Sequence, residues 1–237
     1  MLCGAIASHV LWHQAPLQGF GSASFLFIAG ALVLVAAENQ ERKRLAWAGL
    51  IGFAAEVIGI QYGWLFGRYS YTEVLAPNCL GTPIAMICAW FILIGYVKQL
   101  LLQLQLSGWS EVILGAVWMT VIDLLIDPLA AHPFKFWNWI ETGSYYGIPF
   151  RNFLGWFVVS VVIFSTEKLI FRTGSQESYC IRMVGFGIMV LYTICAFTYG
   201  YYLAVLIGIG LCLTHWALVR MKTMAVSVAT GPEEIVN

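Results

Sequence analysis

Residues 109–129 read WSEVILGAVWMTVIDLLIDPL, a run long enough to cross a bilayer that nevertheless carries two aspartates near its end. A hydrocarbon core about 30 Å thick takes roughly 20 apolar residues per helix. By that measure six further runs qualify, at about 20–38, 45–66, 81–101, 153–171, 181–199 and 201–219. The last two share one apolar stretch, which is divided near Gly200 because it is too long for a single span. The whole chain of 237 residues is 60% hydrophobic and only 10% charged, with a mean hydropathy of +0.81. Such values define an integral membrane protein. Closed barrels are the other way to satisfy backbone groups in lipid, but they need short alternating segments and these runs are continuous. The expected fold is therefore all-α, a polytopic bundle of seven transmembrane helices forming one membrane domain over residues 1–222. Residues 223–237 are expected to be a polar tail.

Orientation follows from the basic residues. With seven spans, one side receives Arg42, Lys43, Arg44, Lys98, Lys168, Arg172, Arg182, Arg220 and Lys222, and the other receives Arg68, Lys135 and Arg151. The positive-inside tendency then puts the C-terminus in the cytoplasm and the N-terminus outside, in a multi-pass protein of the cell membrane. Residues 1–17 are apolar but short, and no basic residue precedes Arg42. They read as an interfacial or partial helix rather than a secretory signal. Six cysteines without Cys-x-x-Cys spacing indicate neither a disulfide framework nor a zinc site.

Ionisable groups at membrane depth are costly, and their default reading is functional. Gly49, Gly52, Glu56, Gly59 and Gly63 recur at steps of three and four, so they share one helical stripe. Small residues on such a stripe let helices approach closely, and Glu56 is expected to face protein rather than lipid. The stripe fits a plain packing face as well as an active-site carboxylate. Asp123 and Asp127 stand at i and i+4, with Pro128 expected to close the helix. Their Cβ atoms are neighbours at about 5–6 Å, and in a dry site two such carboxylates do not readily ionise together. One is left as a proton donor and the other as an acceptor. A plainer alternative has Asp127 capping the next loop.

Other classes fit less well. An Asp-x-x-x-Asp pair resembles half of the magnesium-diphosphate site of membrane prenyltransferases, but no second acidic cluster completes the cage. Four histidines are too few for a membrane di-iron centre, and His9 and His13 lack a clear third ligand. No metal or cofactor is expected. Phosphate-cradling glycine loops and the Gly-x-Ser-x-Gly elbow are missing, and nucleic acid is not an expected partner. The loops at about 67–80 and 130–152 are rich in Tyr, Trp and Phe. Interfacial belts account for part of this, while aromatic faces also stabilise cations, by about 2 kcal/mol or more in a dry site.

The run EVIGIQYGWLFGRYSY (56–71), then Gly81, Thr82 and Pro83 with Trp90, then DLLIDP (123–128), then Trp137 and Trp139 followed by GSYYGIPFRNFLGW (143–156) together resemble the membrane carotenoid-biosynthesis family, which includes the carotenoid 1',2'-hydratases. The similarity covers most of residues 45–171. It implies addition of water to the terminal double bond of an acyclic psi end group, without a cofactor. Lycopene, gamma-carotene or a related polyene would be the substrate and the lipid bilayer its surroundings.

Under that resemblance, Asp123 is the expected proton donor, Asp127 its partner, and Glu56 the group that orients water or takes up its proton. The three roles are interchangeable within the set. Tyr69, Tyr71, Trp137, Trp139, Tyr145 and Tyr146 are expected to line the end-group pocket, and Arg151 and Asn152 to fix the loop. Two alternatives stay open: a carotenoid end-group cyclase, and a proton-coupled transporter or lipid-binding protein. No internal repeat of the kind transporters carry is evident.

Overall fold

A computed structural model of the chain describes Val10 and residues 20–104, 106, 108–171 and 175–229, with side chains as far as Met221. Apart from Val10, the helix expected over residues 1–17, with His9 and His13, lies outside the described residues, as do the last eight residues of the expected tail. Among the described residues the apolar runs form seven helices: α1 (Phe20–Ala36), α2 (Asn39–Tyr62), α3 (Ala85–Leu104), α4 (Trp109–Ala131), α5 (Phe150–Ile170), α6 (Tyr179–Thr198) and α7 (Tyr202–Ala229). Six are long and apolar enough to cross a membrane. The exception is α1, described over 17 residues, so the expectation of seven full spans is met by six. The break between α6 and α7 falls at Gly200, whose φ of 79° lies where a residue without Cβ is favoured. α7 runs to Ala229, so the helix extends into the stretch expected to be tail.

α3 is the hub of the bundle. It packs against α1, α2, α4, α6 and α7, and its residues Trp90 to Leu101 are all buried. That explains why this run is apolar all round, whereas α7 turns Leu206, Leu213 and Trp216 outward. Such a face suits lipid. The glycine stripe of α2 meets α3 closely. A Cβ built on Gly49 would stand 2.9 Å from Ile87, and one on Gly52 would run into the Trp90 ring. Gly63 departs from the expected stripe. It caps α2 in the left-handed region, its N–H bonded to the Gly59 carbonyl at 2.9 Å.

Pro128 does not close α4; three more helical residues follow it. Proline lacks an N–H, so the carbonyl four residues earlier loses its helical donor. That carbonyl belongs to Leu124, and the Tyr145 hydroxyl donates to it at 2.8 Å. Loop chemistry therefore repairs the helix.

Two clusters of buried ionisable side chains lie at opposite ends of the bundle. At one end Arg44 pairs with Glu41 at 3.1 Å and with Glu167 at 3.5 Å, and Lys98 pairs with Glu167. Lys98, counted above among loop charges, is thus inside the protein. At the other end two short strands, β1 (Tyr69–Tyr71) and β4 (Trp137–Trp139), form an antiparallel ribbon across the loops, with a small hairpin of β2 (Asn78–Cys79) and β3 (Thr82–Pro83) beside it. Replacing Gly52 by leucine should drive Trp90 from its seat and lower stability by about 1–3 kcal/mol, the usual penalty of overpacking, read as a lower melting temperature in detergent.

Candidate active site

Three helices bring the site together. Glu56 lies on the buried face of α2, Asp123 and Asp127 on α4, and Asn152 in the first turn of α5. The ribbon closes over them. Its register pairs Tyr69 with Trp139 and Tyr71 with Trp137. Side chains alternate along a strand, so all four aromatic residues face inward while Ser70 and Asn138 are exposed. The sequences YSY and WNW carry this alternation in only three residues each, and nothing local says that the two segments pair.

From this ribbon hang the donors that the carboxylates need. Glu56 Oε2 accepts from the hydroxyls of Tyr69 and Tyr71, the latter at 2.9 Å, and Oε1 accepts from Trp90 Nε1 at 3.1 Å. Asp127 Oδ1 accepts from Trp137 Nε1 at 2.8 Å and Trp139 Nε1 at 3.4 Å. Asn152 Nδ2 donates to Asp123 Oδ2 at 2.6 Å and to Asp127 Oδ2 at 2.8 Å. Asp123 Oδ1 is buried without a partner. Every one of these donors is neutral. Among the described residues no ion pair reaches Glu56, Asp123 or Asp127, and no cluster of three or more His, Cys, Asp or Glu is placed to hold a metal.

A small cavity separates the groups. Glu56, Asn152, Tyr69, Tyr71, Trp137 and Trp139 line it, together with Phe66, Met86 and Trp156. The Trp156 ring stacks on Trp90 at 4.3 Å between centroids. Asp123 and Asp127 are not on this wall; they approach it through Asn152, so the carboxylate that meets the cavity is Glu56.

Other expected residues lie elsewhere. Tyr145 and Tyr146 are not on the wall either: they brace the 140s loop, Tyr145 against Leu124 and Phe153, and Tyr146 against Tyr201 and the Leu203 N–H. Asn152 was expected to fix the loop, but its side chain turns inward to the aspartates, while Arg151 is exposed. The parts of the wall that sequence reasoning did not single out as site residues are Trp156, Met86 and Phe66. Trp90, present in the quoted pattern, had no role until the fold set its indole on Glu56.

Burial, and next the charge of Glu56, hold the phenols of Tyr69 and Tyr71 well above their ordinary 10.0. Both remain donors under ordinary conditions. The sign is that of an acid kept neutral by folding: the stabilisation is complete below the unfolded value and is lost as pH rises through the folded one.

The fold and site define a membrane-embedded helical protein with buried carboxylates under an aromatic lid. The chain belongs to the carotenoid biosynthesis protein family, whose pattern matches residues 20–215. A curated relative, the bisanhydrobacterioruberin hydratase of Haloarcula japonica, is 32% identical over 145 residues, which is 58% of this chain and 48% of that protein. The chain thus spans about half the length of the curated relative it matches. No solved structure matches.

Two outcomes follow from this geometry. Tyr145→Phe strands the Leu124 carbonyl and should cost about 1–3 kcal/mol, the penalty of an unsatisfied buried acceptor, seen as a lower midpoint in thermal unfolding. In a spectrophotometric titration, the difference between wild type and the Tyr69→Phe, Tyr71→Phe double variant should show no phenolate signal at pH 10.0. A signal from two tyrosines at that pH would mean that the lid is wet.

Proposed function

We propose that the protein adds water to the terminal double bond of an acyclic carotenoid end group, giving a tertiary alcohol. The observation that carries this reading is a set of three buried carboxylates whose hydrogen-bond donors are all neutral, one of them, Glu56, on the wall of a cavity lined by tyrosine and tryptophan. Negative charge without a resident cation is suited to a positive charge that appears during reaction. Aromatic faces add to that attraction. The similarity to a bisanhydrobacterioruberin hydratase supports the same reaction class.

A protonated Glu56 gives its proton to the less substituted carbon of the double bond. The donors from Tyr69, Tyr71 and Trp90 are already aimed at the charge that then develops on its carboxylate, and such preorganised donors favour the transition state over the ground state. Positive charge gathers on the tertiary carbon, facing Glu56 and the rings of the lid. Asp127, with three donors, is the ionised member of its pair and adds to the field. Asp123, with one donor and one unpartnered oxygen, is the member that carries a proton. Water attacks the tertiary carbon through a lone pair, and one of its protons restores Glu56. Atoms balance as one water added, and no electrons are exchanged.

The space open to the centre of a water molecule in this cavity is about 20 Å³, which is water-sized rather than end-group-sized. The hydrocarbon therefore enters by displacing part of the lid, of which Tyr71 and Trp139 are the less buried members.

Expression in a bacterium that accumulates lycopene should yield pigments heavier by one or two waters in the mass spectrum. A product of unchanged mass but altered absorbance would instead indicate cyclisation. If lycopene is left untouched, the same assay with gamma-carotene decides the matter, and failure on both with folded protein in the membrane overturns the proposal. Glu56→Gln should lower hydration by at least about 100-fold, the low end of a positioned acid's contribution.

A further inference from the structure

The Asn152 amide nitrogen has two hydrogens, and both are committed, one to Asp123 and one to Asp127. Exchanging its nitrogen and oxygen would set an acceptor against two carboxylate oxygens, so the partners define the orientation. Oδ1 is then the amide atom that remains for the cavity, which Asn152 itself lines beside Glu56. Asn152 is 3% exposed and Glu56 4%. A buried water needs about 10–15 Å³ of such space and at least two polar partners. This cavity has about 20 Å³, with Glu56 and Asn152 on its wall.

We propose that Asn152 Oδ1 and the Glu56 carboxylate together hold the water that is added, which makes Asn152 a catalytic residue of this site; the inference rests on the hydration reading above. One water hydrogen is donated to Oδ1 and the other to Glu56, which leaves an oxygen lone pair for the tertiary carbon. The C–O bond forms from that pair. The hydrogen on Glu56 is transferred and replaces the proton given to the substrate, and the hydrogen on Oδ1 stays as the alcohol hydrogen. The same amide ties this water to the aspartate pair, so that the three carboxylates share one hydrogen-bonded arrangement.

The consequence is that proton donation and water capture can be separated. Without the Asn152 acceptor, Glu56 still protonates the end group, but the cation loses a proton again before water takes it. In deuterium oxide this appears as deuterium in recovered, unhydrated polyene. The readout is the ratio of hydrated product to deuterium-exchanged substrate, which does not depend on how much active protein is present. Asn152→Leu, similar in size but without an acceptor, should lower this ratio by about 100-fold, the scale expected when a reactant loses its position.

Asn152→Ser, which keeps an oxygen, should retain more of the ratio than Asn152→Leu. An unchanged ratio in the leucine variant overturns the proposal. So does equal loss of hydration and exchange in both variants, provided that each elutes as a folded species in detergent, because Asn152 would then only position the aspartates. Wild-type protein that neither hydrates nor exchanges a psi-ended polyene overturns the underlying reading instead, so the two failures are distinguishable.

Discussion

Burying a carboxylate in an apolar bundle is tolerable only if its oxygens find donors, and that requirement organises this molecule. The donors for Glu56 and Asp127 come mainly from a ribbon of six residues outside the helices, through two hydroxyls and two indole N–H groups. Remove the ribbon and α2 and α4 would each carry a costly group. Closing it over the bundle end satisfies those groups and sets aromatic rings around them in one step.

The protein contains the same problem solved a second way. At the far end Arg44 and Lys98 meet Glu41 and Glu167 directly, giving two positive and two negative side chains in one cluster that ties α2, α3 and α5 together. Charge there is matched within the cluster. Near the ribbon the donors are neutral, so whatever negative charge the carboxylates carry is spread over hydrogen bonds and not cancelled. The contrast distinguishes the two clusters more clearly than burial does, since the carboxylates of both are buried.

Much of the site was legible in the sequence because its parts obey short-range periodicity. Glu56 lies on a stripe with period near 3.6, and its burial against α3 follows from the glycines flanking it. Asp123 and Asp127 share a face by the i, i+4 rule. The quoted motifs pointed to the family whose pattern covers residues 20–215. Less legible were features that depend on distant segments. Pro128 looked like a helix end, yet α4 continues because Tyr145, seventeen residues on, supplies the missing hydrogen bond to Leu124. Asn152 looked like a loop residue, yet the first turn of α5 directs it at both aspartates.

The sequence by itself determined that the chain is a helical membrane protein, that three carboxylates lie within or at the ends of apolar runs, and that aromatic residues crowd two loops. Hydrophobic length and helical spacing are local properties, and local properties can be read one segment at a time. Only the tertiary structure decided which carboxylate faces a cavity, that Tyr69 and Tyr71 serve Glu56 while Trp137 and Trp139 serve Asp127, and that Asn152 joins the aspartates. Those outcomes turn on the pairing of two three-residue strands far apart in the chain. Segments that short carry too little pattern to name their partner, and it is the need of buried oxygens for donors that selects it.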